Sequence, residues 1–432
     1  MRIGFISPSV PGHLNPMTTL ARQLQLRGHD VVYIGLPLAG PAVRAAHLPF
    51  VPCGEKEFTE DHSKELLLQL SKLNGREARQ FTIGVVGAIT EAMLNSLPTI
   101  LPAAGVDALV IDTYQFYVEL APTRLGLPYV HVSNALHFDY SGYTPLCVYE
   151  WPHETTPEAL VKNRKGVANF IEMLTRANRG AQAYAERVGL KIDWGDPYAT
   201  ISKLARLTQT PKEFDFESSH WPPQFYHTGP FHDGAGRIDT DFPWERLTGE
   251  RLVYASMGTV QNGLANVFRA IVAAASKHKD VQLVLSIGNN LDPKQIGPLS
   301  SNTILVKSAP QLEILEQASV CITHAGLNTV LEALAQGVPQ VAIPVTHDQP
   351  GVAARIAAKK TGVVVPSEEL TTARLSLALD EILQNSTYRD NARYLQQRIA
   401  ETKGLSAAAD LVEQAFGLNK KRSSASLMKD WV

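Results

Sequence analysis

Two parts of this 432-residue chain carry residue types that could do chemistry together. The first is a histidine placed to take a proton. His13 lies in Pro11-Gly12-His13-Leu14-Asn15-Pro16, past an apolar strand at 2–6 and before a helix expected over 15–27. In a parallel sheet a loop at that edge faces the ligand. Asp112 follows another apolar strand, 108–111, and belongs to the same edge. A hydroxyl is a poor nucleophile until a base removes its proton. A carboxylate beside imidazole fixes the tautomer and stabilises the cation that forms. The same positions also suit a plainer role, with each residue capping a helix or holding water.

The second part is the stretch 306–349, VKSAPQLEILEQASVCITHAGLNTVLEALAQGVPQVAIPVTHDQ. Two apolar strands, 319–323 and 340–343, flank a helix that opens near Gly326. Strand, glycine turn and helix make an anion site. The first N–H groups of a helix lack internal partners, and its dipole adds positive charge there. Asn328 and Thr329 add side-chain donors. Glu332 lies four residues beyond Asn328 on the same face. A carboxylate repels a diphosphate but accepts hydrogen bonds from sugar or ribose hydroxyls. His324 ends the strand beside the turn, where it could donate to phosphate or simply cap the turn.

With Pro310, Gly337, Val338 and Pro339, these residues form a spaced pattern: Ala309-Pro310-Gln311, His324-x-Gly326-x-Asn328-Thr329-x-x-Glu332, Gly337-Val338-Pro339 and Asp348-Gln349. The pattern resembles the donor signature of the family 1 glycosyltransferases, the UDP-glycosyltransferases. Where plant members carry a Trp that stacks on the base, this chain has Ser308. The resemblance implies an α/β chain of GT-B fold: two facing Rossmann-like domains with a deep cleft between them. It implies that His13, in Gly12-His13-x-x-Pro16, is the base and that Asp112 orients it. It also implies that Ser256-Met257-Gly258-Thr259 is a phosphate loop and that Ser286 contacts the base of the nucleotide. Ala309 would offer backbone, and Gln311 its side chain, to base or ribose. Asp348 and Gln349 would grip sugar hydroxyls, or else cap the next helix. The runs 254–259 and 348–356 look most like bacterial zeaxanthin glucosyltransferases and macrolide glycosyltransferases.

Composition sets the frame around these sites. The length suits two full cores. A hydrophobic share of 44% and a charged share of 19% describe a folded chain. A net charge of −2 gives nucleic acid no electrostatic reason to bind. Three scattered cysteines match no metal spacing and suit a reducing, cytoplasmic compartment. Residues 1–16 read as a first strand, not a signal peptide. No apolar run approaches ~18 residues, so no membrane span is expected. The short basic tail at 420–422 leaves room for peripheral membrane contact.

The elements that must position the sites repeat once. The expected division is an acceptor-binding domain at 1–221, a linker at 222–249 rich in Gly, Pro and Asp, and a nucleotide-sugar domain at 250–404. A last helix and tail, 405–432, would cross back to the first domain. Helices at 66–73 and 81–97 form an insertion in the first half. With the loop 134–151 they would house a lipophilic alcohol or phenol, against Phe81, Phe116, Tyr117, Leu136, Phe138 and Tyr140. Asp239-Thr240-Asp241 has the form of a cation site but reads as a surface turn. Glu213, Asp215 and Glu217 read as a solvated acidic face. No cofactor and no metal are expected. The reaction implied is inverting transfer of a hexose, glucose, from a UDP-sugar. Its rivals are a TDP-sugar enzyme of macrolide type, a nucleotide-sugar 2-epimerase and a non-catalytic binder.

Overall fold

The computed structural model describes residues 1–232, 240–260 and 262–418. In chain order the first half comprises Arg2–Ile6 (β1), Pro11–Leu26 (α1), Asp30–Gly35 (β2), Gly40–Ala45 (α2), Phe50–Pro52 (β3), Glu60–Leu70 (α3), Gly75–Ala103 (α4), Ala108–Asp112 (β4), Leu120–Leu125 (α5), Tyr129–Ser133 (β5), Pro157–Ala177 (α6), Arg179–Val188 (α7), Arg206–Thr208 (β6) and Phe225–His227 (β7). The second half comprises Arg251–Ser256 (β8), Ala265–Ala275 (α8), Val281–Ser286 (β9), Thr303–Val306 (β10), Gln311–Gln317 (α9), Ala318–Thr323 (β11), Leu327–Ala335 (α10), Gln340–Ala342 (β12), Gln349–Ala358 (α11), Gly362–Val364 (β13), Thr372–Gln384 (α12), Ser386–Glu401 (α13) and Gly404–Ala415 (α14).

Among the described residues these strands make two parallel sheets. One has seven strands in the order β3-β2-β1-β4-β5-β6-β7, the other six in the order β10-β9-β8-β11-β12-β13. The central strands are apolar along their length because helices cover both faces of a parallel sheet. Leu109, Val110 and Ile111 of β4, and Val253 and Ala255 of β8, are fully buried. Threonines at 59, 156 and 371 cap α3, α6 and α12 through their hydroxyls.

In each sheet the strand order reverses at one place, between β1 and β4 in the first and between β8 and β11 in the second. Such a switch point opens a crevice at the carboxyl ends of its two strands. His13 follows β1 and Asp112 ends β4, so they flank the first crevice. Ser256 ends β8 and His324 follows β11, so they flank the second.

Several boundaries differ from expectation, among them the helix expected at 66–73, which spans Glu60–Leu70. The first helix opens at Pro11, so His13 lies in its first turn; proline suits that position because its missing N–H would have had no partner. The expected linker 222–249 contains β7, which pairs with β6 through Arg206↔Phe225 to Thr208↔His227. Three-residue strands are too short to show a period. The insertion helix runs from 75 to 103 rather than 81 to 97, with Pro98 and Pro102 inside it.

Residues after 401 return to the first domain. Ala408, Ala409 and Val412 of α14 share a core with Ile3, Leu20 and Leu24. Arg27 bonds Asp410 at 2.7 Å and Glu413 at 3.0 Å. Of the expected surface turn 239–241, Asp239 lies outside the described residues, as does the basic tail 420–422.

Candidate active site

A cavity of about 460 Å³ lies between the two switch points, within the usual range for a small-molecule site. Both domains line it. From the first come Gly12, His13, Phe81, Phe116 and Phe138. From the second come Ser256, Gly258, Thr259, Gln311, His324, Gly326, Asn328, Thr329, Glu332, Asp348 and Gln349.

At the first switch point, His13 Nδ1 lies 2.8 Å from Asp112 Oδ2. A carboxylate only accepts, so this bond puts the proton on Nδ1 and leaves the Nε2 lone pair for a substrate. The His13 side chain is 15% exposed and that of Asp112 is fully buried. Burial alone would lower the His13 pKa. The charge of Asp112 and the bond to it outweigh burial, and the imidazole lies above its ordinary 6.5. Asp112 is itself held in place. Tyr114 N–H donates to Oδ1 at 2.8 Å and Asn134 Nδ2 to Oδ2 at 2.6 Å.

At the second switch point, the His324 imidazole sits in a cradle made by two glycines. A Cβ on Gly326 would lie 2.4 Å from His324 Nε2, and one on Gly258 would lie 2.5 Å from Cε1. Gly258 has φ +75, while Gly326, which caps α10, has an ordinary φ of −65. The cradle therefore needs Gly326 for space and not for backbone freedom. Burial pushes His324 down to about 4. At neutral pH it offers an uncharged N–H, and its Nδ1 is buried without a hydrogen-bond partner.

The other donor-side residues divide. Gln311 Nε2 donates to Glu332 Oε2 at 2.5 Å, and Tyr254 OH donates to Gln311 Oε1 at 2.9 Å. Asn328, expected to serve the donor, spans the cleft instead. Its Nδ2 donates to the Gly12 carbonyl at 2.6 Å. Gln349 Oε1 accepts from Val345 N and Thr346 N, bracing its own loop. Asp348 holds the capping position of α11 but makes no side-chain cap. Its Oδ2 takes the Leu136 N–H at 2.9 Å, across the domain boundary. Burial raises the Asp348 pKa, and that bond and nearby His13 partly counter it. Ser286 and Ala309 lie outside the cavity lining. Ser286 shares the sheet edge with Ser256 but points its hydroxyl at the Lys307 carbonyl, 3.4 Å away. Ala309 packs against the core around Tyr254 and Ile314.

The acceptor-side expectations need correction. Phe81, Phe116 and Phe138 line the cavity; Tyr117, Leu136 and Tyr140 do not. Leu136 is fully buried in the domain-boundary core. Tyr117 adopts φ 63 and turns edge-on to Trp194. Tyr140 stacks behind Phe138. Both tyrosines border a separate cavity of about 50 Å³. The larger apolar wall comes from α4, through Ile83, Val85, Val86, Ile89 and Met93.

That wall bears on a second expectation, that the chain has no membrane span. By length and composition α4 is apolar enough to cross a membrane, with a third of its most apolar window buried, but one such helix does not overturn the expectation. Much of its open apolar surface faces this cavity.

The acidic face expected at 213–217 also needs correction. Asp215 is 1% exposed and bonds Arg355 Nε at 2.8 Å, with His137 Nε2 at 3.2 Å.

Sequence reasoning missed Asn134, Gln209 and His347. Gln209 Nε2 donates to Asn134 Oδ1 at 3.2 Å and to Asn328 Oδ1 at 3.4 Å. With Asp112 and Gly12 they close a polar ring from the Asp112 carboxylate to α10. His347 adopts φ 59 and bonds Thr82 at 2.9 Å. Asn134 and Gln209 belong to no local motif and only the fold brings them in, whereas His347 directly precedes Asp348-Gln349 in the sequence.

Comparison with known proteins bears on the family and the fold. Residues 240–403 match the family model described as UDP-glucoronosyl and UDP-glucosyl transferase. Over 417 residues the chain is 26% identical to the zeaxanthin glucosyltransferase of Pantoea ananas, covering 95% of each chain. It is 25% identical over 424 residues to the demethyllactenocin mycarosyltransferase of Streptomyces fradiae, covering 95% of this chain and 85% of the other. Among solved structures, the glycotransferase of kitacinnamycin superposes with a TM-score of 0.74 at 24% identity, over 96% of this chain and 98% of that one. The calicheamicin glycosyltransferase CalG4 gives 0.73 at 24% identity, with the same coverage.

Proposed function

This chain belongs to the family 1 glycosyltransferases and has their GT-B fold; from that premise we propose that it is an inverting enzyme that moves glucose from UDP-glucose to a hydroxyl of a lipophilic small molecule. One observation carries the reading. A single cavity joins an Asp-held imidazole at one switch point to a helix N-terminus at the other.

The donor enters with its diphosphate at the first-turn N–H groups of α10, beside His324 and the 256–259 loop. Gln311 and Glu332 take the ribose, and Asp348 and Gln349 take the sugar hydroxyls. The acceptor lies along α4 with its hydroxyl toward His13. His13 Nε2 removes the hydroxyl proton, and Asp112 stabilises the imidazolium formed. The oxygen attacks the anomeric carbon from the face opposite the leaving group, through an oxocarbenium-like transition state. The nucleoside diphosphate departs with its charge on backbone N–H groups and the His324 N–H, preorganised donors that need no cation. The three buried, unpaired cysteines suit a cytoplasmic enzyme.

Ser308 is exposed and brings no ring to stack on a base, which weakens the case for uracil over thymine and keeps a TDP-sugar donor as the second reading. Both are tested by one matrix read by mass spectrometry. UDP-glucose and TDP-glucose are crossed with a carotenoid alcohol, a macrolide aglycone and a flavonol. Transfer is expected only with donor and alcohol together. Conversion of donor without an alcohol would mark an epimerase, and no conversion at all a binder.

A further inference from the structure

The apolar wall of the cavity ends in a cation. Along α4, the residues lining it at 79, 82, 83, 86, 89 and 93 follow helical spacing and form one stripe. All are apolar or weakly polar except Arg79. Among the described residues Arg79 has no carboxylate and no hydrogen-bond partner, and its Nε is buried without one. A guanidinium is always charged and presents a planar fork that matches a carboxylate. Its place on the stripe is also defined. Thr82 bonds His347 at 2.9 Å, and Gly75 N–H donates to the Val345 carbonyl at 3.2 Å. Arg79 therefore sits at the donor-domain end of the wall, beside the loop that carries Asp348.

We propose that Arg79 binds a carboxylate on the acceptor, so that the acceptor class is an apolar hydroxy acid whose charged group lies near its reacting hydroxyl. The body of the molecule then lies along Val86, Ile89 and Met93. This deepens the transfer reaction proposed above and rests on it for the word acceptor, but the binding it claims is measured without any transfer. The donor sugar is the other source of a carboxylate near Asp348. The apolar neighbours of Arg79 on the stripe favour the acceptor.

The test uses the full chain and calorimetric titration with 3-hydroxytetradecanoate and its methyl ester, without donor. Wild type should bind the acid about 10- to 100-fold more tightly than the ester, the range for a hydrogen bond to a charged group. Arg79→Gln should bring that ratio near one, and Arg79→Lys should keep part of it. A parallel arm compares UDP-glucuronate with UDP-glucose. Equal affinity for acid and ester, a ratio that survives Arg79→Gln, or binding of neither compound overturns the proposal. So does a preference for UDP-glucuronate that Arg79→Gln abolishes, because the carboxylate would then belong to the donor. Acid-selective binding without transfer in the donor matrix would leave the assignment of Arg79 standing and remove the reaction.

Discussion

Removing the carboxylate beside His13 would separate the two forces on that imidazole. Burial lowers its pKa, Asp112 raises it, and the net shift is upward from 6.5. Only the unprotonated ring is a base. In the intact enzyme kcat/KM should therefore rise with pH along a limb above 6.5. In Asp112→Asn only the charge of Asp348 still opposes burial, so the limb should move to lower pH while kcat drops by ~10²–10⁴ as the tautomer is lost. A limb that stays put would mean another group titrates. At the donor end the sensitive atom is a missing Cβ. Gly326→Ala forces the His324 ring out of its cradle, while the backbone at 326 tolerates a side chain. The variant should fold and lose ~10- to 100-fold in UDP affinity, the loss of one hydrogen bond to a charged oxygen. Unchanged affinity by calorimetry would take His324 out of the phosphate site.

At the scale of elements, α11 belongs to the second sheet but is moored to the first domain at three levels. Leu136 N–H binds Asp348, Gly351 N–H binds the Cys147 carbonyl at 3.0 Å, and Arg355 binds Asp215. The helix that presents the proposed sugar-gripping pair is thus set by the first domain. Burial alone would raise the Asp215 pKa, but Arg355 and His137 outweigh it and hold the carboxylate well below its ordinary range. Its stabilising contribution is full above the unfolded carboxylate value, about 3.9, and is lost as pH falls below it. Arg355→Ala strands that carboxylate and should cost about 3–5 kcal/mol in urea unfolding at pH 7, with a deficit that shrinks in acid. A deficit below about 1 kcal/mol would mean the pair is solvated. This mooring was not legible in the sequence. The alternation of Glu213, Asp215 and Glu217 with phenylalanines gives the pattern of an exposed edge. Only the approach of Arg355, 140 positions away, shows which carboxylate is buried. The length of α4 was hidden for a similar reason: prolines at 98 and 102 look like stops, yet the helix passes through both.

Across the whole molecule, the two switch points face one cavity, and α14 returns to pack on α1. The fold was largely legible, because continuous apolar strands alternating with helices allow few architectures. The glycine turn at 326 was legible because its residues sit within one strand–turn–helix unit, as was the pairing of His13 with Asp112 at one sheet edge. The acceptor wall was not. Apolar and aromatic residues of the 134–151 loop have the same composition whether they face a ligand or pack against a core; Leu136 is buried in the core and Tyr140 packs against it. Because backbone N–H groups and His324 are proposed to carry the leaving charge, EDTA should leave transfer unaffected. Activity lost to chelation and restored by magnesium would contradict that. The reaction across the cleft is tested most directly by single-turnover transfer in His13→Ala, with donor and acceptor both saturating. The expected result is a rate lower by ~10²–10⁴ with UDP affinity retained. A rate equal to that of the intact enzyme would show that the proton is taken elsewhere.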